Sequence, residues 1–466
     1  MSKKYLIRAG VSPFDHFDAG EMITKNSIGS NVGNLVYAYS IFRTLMTDEV
    51  EIEPDYYQIN VADANRINEN YDAYIIPLAD AFRENFIPKL RAYTQLINKL
   101  KIPVYVIGVG LSRPFEPNLD EKNDFDKDVI AFVKAVLKRS SIIGVRGQIT
   151  ADYLTKLGFK EEIDHTVIGC PSMYMNGPKL DVRSTNLTSE AVVAINSSPK
   201  SPKNVRDFIE KSRHEFDEHY FIPQWLKELR MTWLGENPLK KIELYPSKTS
   251  HQLYQEDRVR YFLDVPSWLN FLGKMDFSFG TRLHGNVAAI LAGTPSLIIP
   301  KDARMRELAD YHQMPSLFAS EINANTSILE VMQTKDFSTL QQVDERNFNH
   351  FISFLEKNNI SHIYGANTTN REVALDIRIK GLPIRGPIES FQIASEKEKI
   401  TRWKNFQADT VLQFNKQIKE LQTKNKKLKT ELDVLKKKND FQRRTLNRKA
   451  VRASLKFADF FSMSKK

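Results

Sequence analysis

Short apolar runs alternate with stretches of helical periodicity along the first 170 residues, and this alternation restricts the possible folds most. The apolar runs, which favour β-strands, lie at 4–9, 73–77, 104–109 and 142–145. The helical stretches that separate them lie at 35–47, 89–99, 126–138 and 148–157. Short buried strands joined by helices form a parallel sheet with helices packed on it. We therefore predict an α/β domain here.

A second series of the same kind begins near residue 191 and predicts a second α/β domain. Its strands are predicted at 191–195, 242–245, 276–279 and 296–299. Its helices are predicted at 204–230, with a break at Pro223, and at 265–274. Two such domains place a ligand cleft between the carboxyl ends of their sheets. We predict domain boundaries at 1–175 and 176–394.

A heptad pattern begins beyond Ser395. Two sets of residues recur every seven positions, namely Val411, Ile418, Asn425, Leu432 and Asn439, and Phe414, Leu421, Leu428 and Leu435. Apolar a and d positions with Asn at some a positions are typical of two-stranded coiled coils. We predict a coiled coil over 395–440 that forms a homodimer. A single long amphipathic helix is the alternative.

The last segment, 441–466, has the pattern of a basic amphipathic helix. Helical spacing relates its apolar residues Leu446, Ala450, Ala453, Phe457 and Phe461, and Arg and Lys occupy the other side. Such a helix suits an anionic membrane surface, and a solvated basic tail is the alternative.

The net charge of +10 is concentrated in this C-terminal part. Residues 395–466 contain 21 Lys and Arg against 8 Asp and Glu, a net charge of +13, which leaves −3 for residues 1–394. A partner that needs positive charge therefore meets the C-terminal part. We expect an anionic membrane as that partner, and no nucleic acid.

The single cysteine, Cys170, excludes an internal disulfide framework and any Cys-x-x-Cys metal site. No apolar run approaches the roughly 18 to 20 residues that span a bilayer, and the N-terminus has the pattern of a strand rather than a signal peptide. We expect a cytoplasmic protein, with its tail at the inner face of the cell membrane, and no bound metal.

Cationic residues follow two successive predicted strands of the second domain. Arg282 and His284 lie between the strand that ends at Gly280 and a helix predicted at 286–291. Arg304 follows the next strand, together with Asp302 and Arg306. A helix N-terminus with arginine forks suits a multiply charged anion, and histidine titrates near neutral pH.

The helix N-terminus would lower the pKa of His284, and a bound dianion would raise it again, which could give a proton donor primed by its substrate. The alternative is structural. Arg282 and Arg304 would then pair with Asp264, Asp302 or Glu307, and His284 would cap the helix.

The order of residues in this region resembles the C-terminal signature of polysaccharide pyruvyl transferases. The matching residues are Asp264, Trp268, Asp276, Arg282-Leu-His284-Gly285, Gly293-x-Pro295, Asp302-x-Arg304-x-x-Glu307-Leu and Tyr311. Weaker similarities lie in the glycine loop 29–34, the arginine segment 144–147 and the turn 169–171. Together they cover about residues 5–365 and nothing in the predicted coil.

The resemblance implies two Rossmann-like domains that face a cleft, as in glycosyltransferases of the B type. It implies phosphoenolpyruvate as co-substrate, no cofactor, and as acceptor a sugar on a lipid-linked (polyprenyl) or nucleotide-linked glycan. By the same resemblance His284 is the general acid, and the phosphoenolpyruvate-binding residues are Arg146, Arg282 and Arg304. The acceptor-binding residues are Asn31, Gly33 and Asn34.

The chain departs from the family pattern at one of these positions. The family's loop usually has Asp where this chain has Asn34. An acid there could act as a base, whereas Asn can only orient the acceptor, and helix capping is the alternative role. Two other functions stay open, namely a nucleotide-sugar glycosyltransferase of the same architecture and a non-catalytic scaffold for polysaccharide assembly.

Overall fold

The computed structural model describes residues 2–365 and 372–463, and within 457–463 it describes the backbone alone. The chain divides into two compact units, Met1–Trp403 and Lys404–Lys466. The first unit contains both sheets, and the second is helical.

The N-terminal sheet of the first unit is parallel throughout. Its described strands are β1 (Lys3–Ile7), β2 (Val50–Pro54), β3 (Ala73–Ile76), β4 (Ala79–Phe82), β5 (Val104–Leu111), β6 (Ile143–Val145) and β7 (His165–Val167). Their order is β2-β1-β3-β5-β6-β7, and β4 also pairs with β5. All eight residues of β5 are buried, as expected for a strand covered on both faces.

Helices join these strands and cover the sheet. They are α1 (Ala19–Lys25), α2 (Gly33–Leu45), α3 (Ala64–Asn70), α4 (Ile87–Ile97), α5 (Asp126–Leu137) and α6 (Gln148–Lys156). Helix α5 buries Val129, Phe132, Val133 and Val136, which share one helical face. The predicted strands and helices of this half are confirmed to within a few residues, while β2, β4 and β7 were not predicted.

The second sheet of the first unit is also parallel. Its described strands are β8 (Val192–Asn196), β9 (Glu218–Phe221), β10 (Phe277–Gly280) and β11 (Ser296–Ile298), in the order β11-β10-β8-β9. The helices that follow β8 along the chain are α7 (Lys203–Ser212), α8 (Leu226–Leu234), α9 (Gln252–Gln255), α10 (Val265–Leu272), α11 (Leu283–Leu291), α12 (Ala303–His312), α13 (Ile328–Thr334), α14 (Asp344–Lys357) and α15 (Ala374–Ile379). Of these, α14 and α15 contact the N-terminal half, where α14 packs at β6 and β7 and α15 packs on α2. The predicted fold class, α/β with two parallel sheets, is confirmed.

Three predictions for this half are wrong in detail. The helix predicted over 204–230 is interrupted by β9. The alternating burial of this strand covers only four residues, and the helical periodicity of the sequence on both sides conceals it. The strand predicted at 242–245 is a loop, where Leu244 has a left-handed φ of 57° that a strand does not accommodate. Helix α11 begins at Leu283 rather than at 286 and therefore contains His284.

The second unit consists mainly of α16 (Glu396–Leu446), which begins in the first unit, and α17 (Lys449–Met463). The heptad positions are exposed along α16, including Val411 at 60% and Leu421 at 61%. Pairing of two chains through this stripe stays a prediction.

Phe457 and Phe461 of the predicted membrane-facing side lie outside the described side chains. No helix within 2–365 and 372–463 is long and apolar enough to cross a membrane.

Candidate functional site

The loop between β10 and α11 is held in one conformation by its own polar groups. The Arg282 backbone N–H donates to Asn196 Oδ1 at 2.7 Å, and Asn286 Nδ2 donates to the carbonyls of Arg282 and Gly280 at 2.9 and 3.0 Å. Since Asn196 ends β8, adjacent strands fix the start of α11. The Arg282 and His284 side chains therefore leave a rigid backbone.

Arg282 is buried at this loop and its guanidinium is partly engaged. Its Nε donates to the Ser197 carbonyl at 2.6 Å, and its guanidinium carbon lies 4.5 Å from the centre of the Trp225 ring. Its Nη2 lies 3.6 Å from Glu228 Oε2, an ion pair too long for a hydrogen bond. Among the described residues this Nη2 has no hydrogen-bond partner.

His284 lies in the first turn of α11 and packs against α2. A Cβ added to Gly33 would lie 2.6 Å from His284 Nδ1, so the two helices approach this closely because residue 33 is glycine. The imidazole stacks on the Tyr37 ring with a centroid distance of 6.3 Å. Its Nε2 is buried and has no hydrogen-bond partner in the described part of the chain.

Arg146, from the loop after β6, reaches the same place from the N-terminal sheet. Its guanidinium lies 4.4 Å from the centre of the Tyr37 ring. The Gly108 carbonyl accepts from Arg146 Nε at 3.1 Å and from the Tyr37 hydroxyl at 2.9 Å. Both Nη atoms of Arg146 are buried without a partner within 2–365 and 372–463. We call such buried side-chain atoms, without a hydrogen-bond partner among the described residues, open polar atoms.

Arg304, in the first turn of α12, has carboxylate partners. Its Nη1 lies 3.5 Å from Asp80 and its Nη2 3.7 Å from Asp302. Lys301 Nζ also donates to Asp302, at 2.7 Å. Burial would raise the pKa of Asp302, but the Arg304 and Lys301 cations hold it at about 2. The pairing of Arg304 with Asp302, predicted as an alternative, is therefore present, and the two cations of this network are balanced by the two carboxylates Asp80 and Asp302.

The other predicted partners bind elsewhere. Asp264 caps α10 by accepting from the Ser267 N–H at 2.7 Å. Arg306, which the sequence analysis named together with Arg304, is 36% exposed, and its guanidinium lies over the Phe115 ring. Glu307 accepts from the backbone N–H and the hydroxyl of Thr150, both at 2.9 Å.

The hydrogen bonds that Glu307 accepts form a helix cap that joins the two halves of the site. Gly147, the N-cap residue of α6, has no side chain of its own, and a Cβ there would lie 2.5 Å from Glu307 Cβ. Glu307 therefore takes the place of the missing cap. Since Arg146 precedes Gly147, and Arg304 lies one turn before Glu307, this contact fixes the positions of the two arginines relative to each other. Burial raises the pKa of Glu307 to about 7.

His284 is uncharged at neutral pH in this environment. Burial lowers its pKa well below the usual value, and the positive charges of Arg146 and Arg304 lower it further. A bound anion would offset both arginines and raise the pKa of His284 again. The N-terminus of α11, proposed from the sequence as the cause, would act in the same direction.

The predicted acceptor residues form the turn that starts α2. Asn31 Oδ1 accepts from the Gly33 N–H at 2.9 Å, and Asn34 Nδ2 donates to the Ile28 carbonyl at 2.9 Å. The N-cap residue of α2 is Val32. Asn34 therefore ties the loop to the helix instead of capping it.

Asn34→Asp should destabilise the protein by about 1 kcal/mol. A carboxylate cannot donate to the Ile28 carbonyl, and leaving that acceptor unpaired costs more than a negative charge gains at a helix N-terminus. Urea denaturation measures the difference, and Asn34→Ala serves as the control that loses the bond without adding charge. An Asp variant as stable as the wild type would contradict this role for the amide.

Several residues that the sequence analysis did not select also lie at the site. They are Tyr37, Asp80, Ser197, Gln224, Trp225, Glu228 and Lys301. Ser197 directly follows β8 and was open to prediction by the rule that selected Arg282. Gln224 and Trp225 follow β9. Because β9 was predicted as helix, the expectation that ligand-binding residues follow strand ends was not applied to them.

A cavity of about 330 Å³ with a largely apolar lining lies on the other side of α2. Leu35 and Tyr39 line it, whereas Gly33 and Tyr37 contact His284, and successive helical residues are rotated by about 100°. The cavity is therefore separate from the arginine cluster. No group of three or more His, Cys, Asp or Glu side chains with metal-binding geometry occurs in the described ranges.

Comparison with protein families matches residues 31–302, more than half of the chain, to the model of polysaccharide pyruvyl transferases. No curated protein matches the sequence significantly.

Among solved structures, the UDP-GlcNAc 2-epimerase of Methanocaldococcus jannaschii is 10% identical, with 76% of this chain and 99% of that chain covered and a TM-score of 0.41. The UDP-GlcNAc 2-epimerase of Neisseria meningitidis is 11% identical, with 82% and 99% covered and a TM-score of 0.34. For MurG of Acinetobacter baumannii the values are 10%, 76%, 99% and 0.33. Scores this low carry no argument about activity.

Proposed function

The chain belongs to the polysaccharide pyruvyl transferase family, and we propose that it transfers a pyruvyl group from phosphoenolpyruvate to a sugar of a cell-surface polysaccharide precursor. The product would be a ketal. The observation that supports this most is the set of open polar atoms on Arg146, Arg282 and His284. Each buried, unpaired polar group costs about 1–3 kcal/mol, and an anion would satisfy several at once.

The donor would be held by positive side chains from both sheets. Arg146 approaches from the N-terminal sheet and Arg282 and Arg304 from the C-terminal sheet, so a bound dianion would bridge the two. Arginine forks match the oxygen pairs of carboxylate and phosphate groups. These cations would also stabilise the departing phosphate, so the proposal requires no metal ion.

The chemistry would begin with a proton from His284. Once the donor's charge has raised its pKa, the imidazolium gives the Nε2 proton to the methylene carbon of the enol. The central carbon becomes electron-poor, and an acceptor hydroxyl adds to it and releases its proton. The bond from that carbon to the phosphate oxygen breaks and inorganic phosphate leaves. A second acceptor hydroxyl then adds to the same carbon, loses its proton and closes the cyclic ketal. Of the two hydroxyl protons, one would restore His284 and the other would be taken up by the departing phosphate.

The test is release of inorganic phosphate from phosphoenolpyruvate that depends on an acceptor. Purified protein would be incubated with phosphoenolpyruvate and a panel of lipid-linked and nucleotide-linked sugars, and the pyruvylated product identified by mass spectrometry. Release of a nucleoside diphosphate instead would identify a glycosyltransferase. Tight binding of a polysaccharide-assembly partner without any turnover would favour a scaffold.

Arg282→Lys and Arg304→Lys should each weaken phosphoenolpyruvate binding about tenfold, although the charge is kept. Lysine cannot offer two donors in a plane, and one hydrogen bond to a charged group is worth at least about 1.5 kcal/mol. Calorimetric titration measures the affinities. Arg306→Lys is the matched control, because Arg306 lies on the same helix as Arg304 but is partly exposed over Phe115. Equal affinities in all three variants would mean that Arg282 and Arg304 serve structural pairs.

A further inference from the structure

Three open polar atoms surround the start of α11, and two of them belong to residues outside the family signature. They are Arg282 Nη2, Gln224 Nε2 and Ser197 Oγ, on residues that are 6%, 1% and 3% exposed. Each residue follows the carboxyl end of a different strand, and these strands, β10, β9 and β8, are neighbours in one sheet. Ligands of open α/β folds bind at the carboxyl ends of the strands.

Contacts of neighbouring groups bring the three residues to the same turn of α11. Arg282 Nε bonds to the Ser197 carbonyl at 2.6 Å, and the Arg282 guanidinium stacks on Trp225, the residue after Gln224. Gln224 Nε2 lies 2.6 Å from the position that a Cβ on Gly285 would occupy. They therefore flank the first turn of α11, in which His284 stands between Arg282 and Gly285 along the chain.

The charge of this group suits a monoanion. Arg282 contributes one positive charge, which Glu228 partly offsets from 3.6 Å, and Gln224 and Ser197 contribute neutral donors. The open Nη2 of Arg282, an amide and a hydroxyl can donate to the oxygens of a carboxylate.

The other flank of His284 carries more positive charge. Arg146 lies against the same Tyr37 ring as His284, and Arg304 acts on the pKa of His284 from nearby. Arg304 and Lys301 are balanced by the carboxylates Asp80 and Asp302, so the remaining positive charge of this flank is that of Arg146. Arg146 has no carboxylate partner among the described ion pairs and has two open Nη atoms, and such a guanidinium suits a phosphate group.

We propose that Ser197, Gln224 and Arg282 form a carboxylate subsite, and that Arg146 and Arg304 bind the phosphate. This assignment rests on the proposed function. Phosphoenolpyruvate carries its carboxylate and its phosphate on the same enol carbon, so the two subsites fix that carbon between them with His284 alongside. Ser197 and Gln224 thereby select enol phosphates that carry a carboxylate against simple phosphate esters.

The experiment compares three probes, phosphoenolpyruvate, pyruvate and inorganic phosphate, by calorimetric titration of the full chain. Ser197→Ala and Gln224→Met remove open polar atoms without breaking a bond that holds the fold, and Ser197→Ala keeps the carbonyl that positions Arg282. Both variants should bind phosphoenolpyruvate and pyruvate about tenfold more weakly and phosphate as the wild type does. Arg304→Lys should show the opposite pattern, with weaker phosphate binding and unchanged pyruvate binding.

Two outcomes would overturn the subsite. The first is that Ser197→Ala and Gln224→Met each leave the affinities for all three probes unchanged. The second is that each weakens the binding of phosphate as much as that of pyruvate. Wild-type protein that binds neither phosphoenolpyruvate nor phosphate would instead refute the proposed function itself. Circular dichroism melting of each variant establishes that it is folded before its affinities are compared.

Discussion

His284→Gln should lower the rate of phosphate release by about 10²-fold or more, while phosphoenolpyruvate binding survives. Glutamine can donate a hydrogen bond from a similar position but cannot deliver a proton to carbon. Steady-state phosphate release gives the rate, and calorimetric titration gives the affinity of the same sample. A variant with near-normal turnover would remove His284 from the role of general acid.

His312→Gln is the matched control for this variant. His312 is also buried, and burial with Arg146 nearby lowers its pKa to about 3. Its Nε2 already accepts from the Cys170 N–H at 2.8 Å, a bond that a glutamine oxygen can replace. Its loss should therefore cost far less activity than the loss of His284.

The depressed pKa of His284 adds a pH dependence to the same prediction. In the free protein the imidazole is neutral at pH 7, and the charge of bound phosphoenolpyruvate raises its pKa, so binding should take up a proton. Affinity should then fall as pH rises through the pKa of the bound state. Calorimetry in buffers of different ionisation enthalpy measures the uptake at about pH 7, where the general-acid role requires the bound imidazole to be protonated. Phosphate esters have their second ionisation at about 6, so His284→Gln gives the uptake that belongs to the ligand. An uptake in the wild type no larger than that of His284→Gln would contradict the linkage.

The strands that the sequence predicts well are those with continuous apolar runs. Strand β5 is buried along its whole length, and its run is visible without any partner. Strand β9 has alternating burial over four residues, which helical periodicity on both sides conceals. Because β9 was predicted as helix, Gln224 was not recognised as a residue that follows the carboxyl end of a strand.

From the local pattern alone, the site was predictable only for residues that directly follow a predicted strand. Arg282, His284 and Arg304 met that condition, and Arg146 was indicated by the family resemblance. The contact of Arg146 with His284 through Tyr37 joins residues that are far apart in the chain, and no local pattern predicts it. The cap that Glu307 provides for α6 is equally non-local, because the evidence for it in the sequence is a missing side chain at Gly147.

Removing residues 404–466 should convert a homodimer into a monomer. The cut is placed after Trp403, the last residue of the first unit. Residues just before it contact the rest of that unit, since Arg402 Nη1 lies 3.4 Å from the carbonyls of Trp233 and Glu389. Beyond it the heptad stripe of α16 is exposed to water in the single chain, and pairing of two chains would bury it. Light scattering of both proteins measures the change, and a truncated protein that remains a dimer would show that the first unit dimerises by itself.

A pair of point variants separates the stripe from the rest of the helix. Leu421, at a d position, and Leu412, outside the a and d positions, are 61% and 70% exposed in the single chain. Leu421→Glu should dissociate the dimer, because a charge in a coiled-coil seam is desolvated, whereas Leu412→Glu should leave it intact. Equal effects of the two variants would exclude the heptad register.

The same truncation should abolish binding to anionic membranes. Helix α17 contains Lys449, Arg452 and Lys456. Each basic residue near an anionic membrane surface contributes about 1 kcal/mol to the free energy of membrane binding. Two tails held in one dimer bind with a higher effective concentration than one, without any new contact. Full-length protein should sediment with anionic but not with zwitterionic liposomes at low salt, and the truncated protein with neither. Since the predicted active site lies within the first unit, the truncated protein should still release phosphate with a soluble acceptor. Full-length protein that ignores anionic liposomes would mean that the basic tail has another partner.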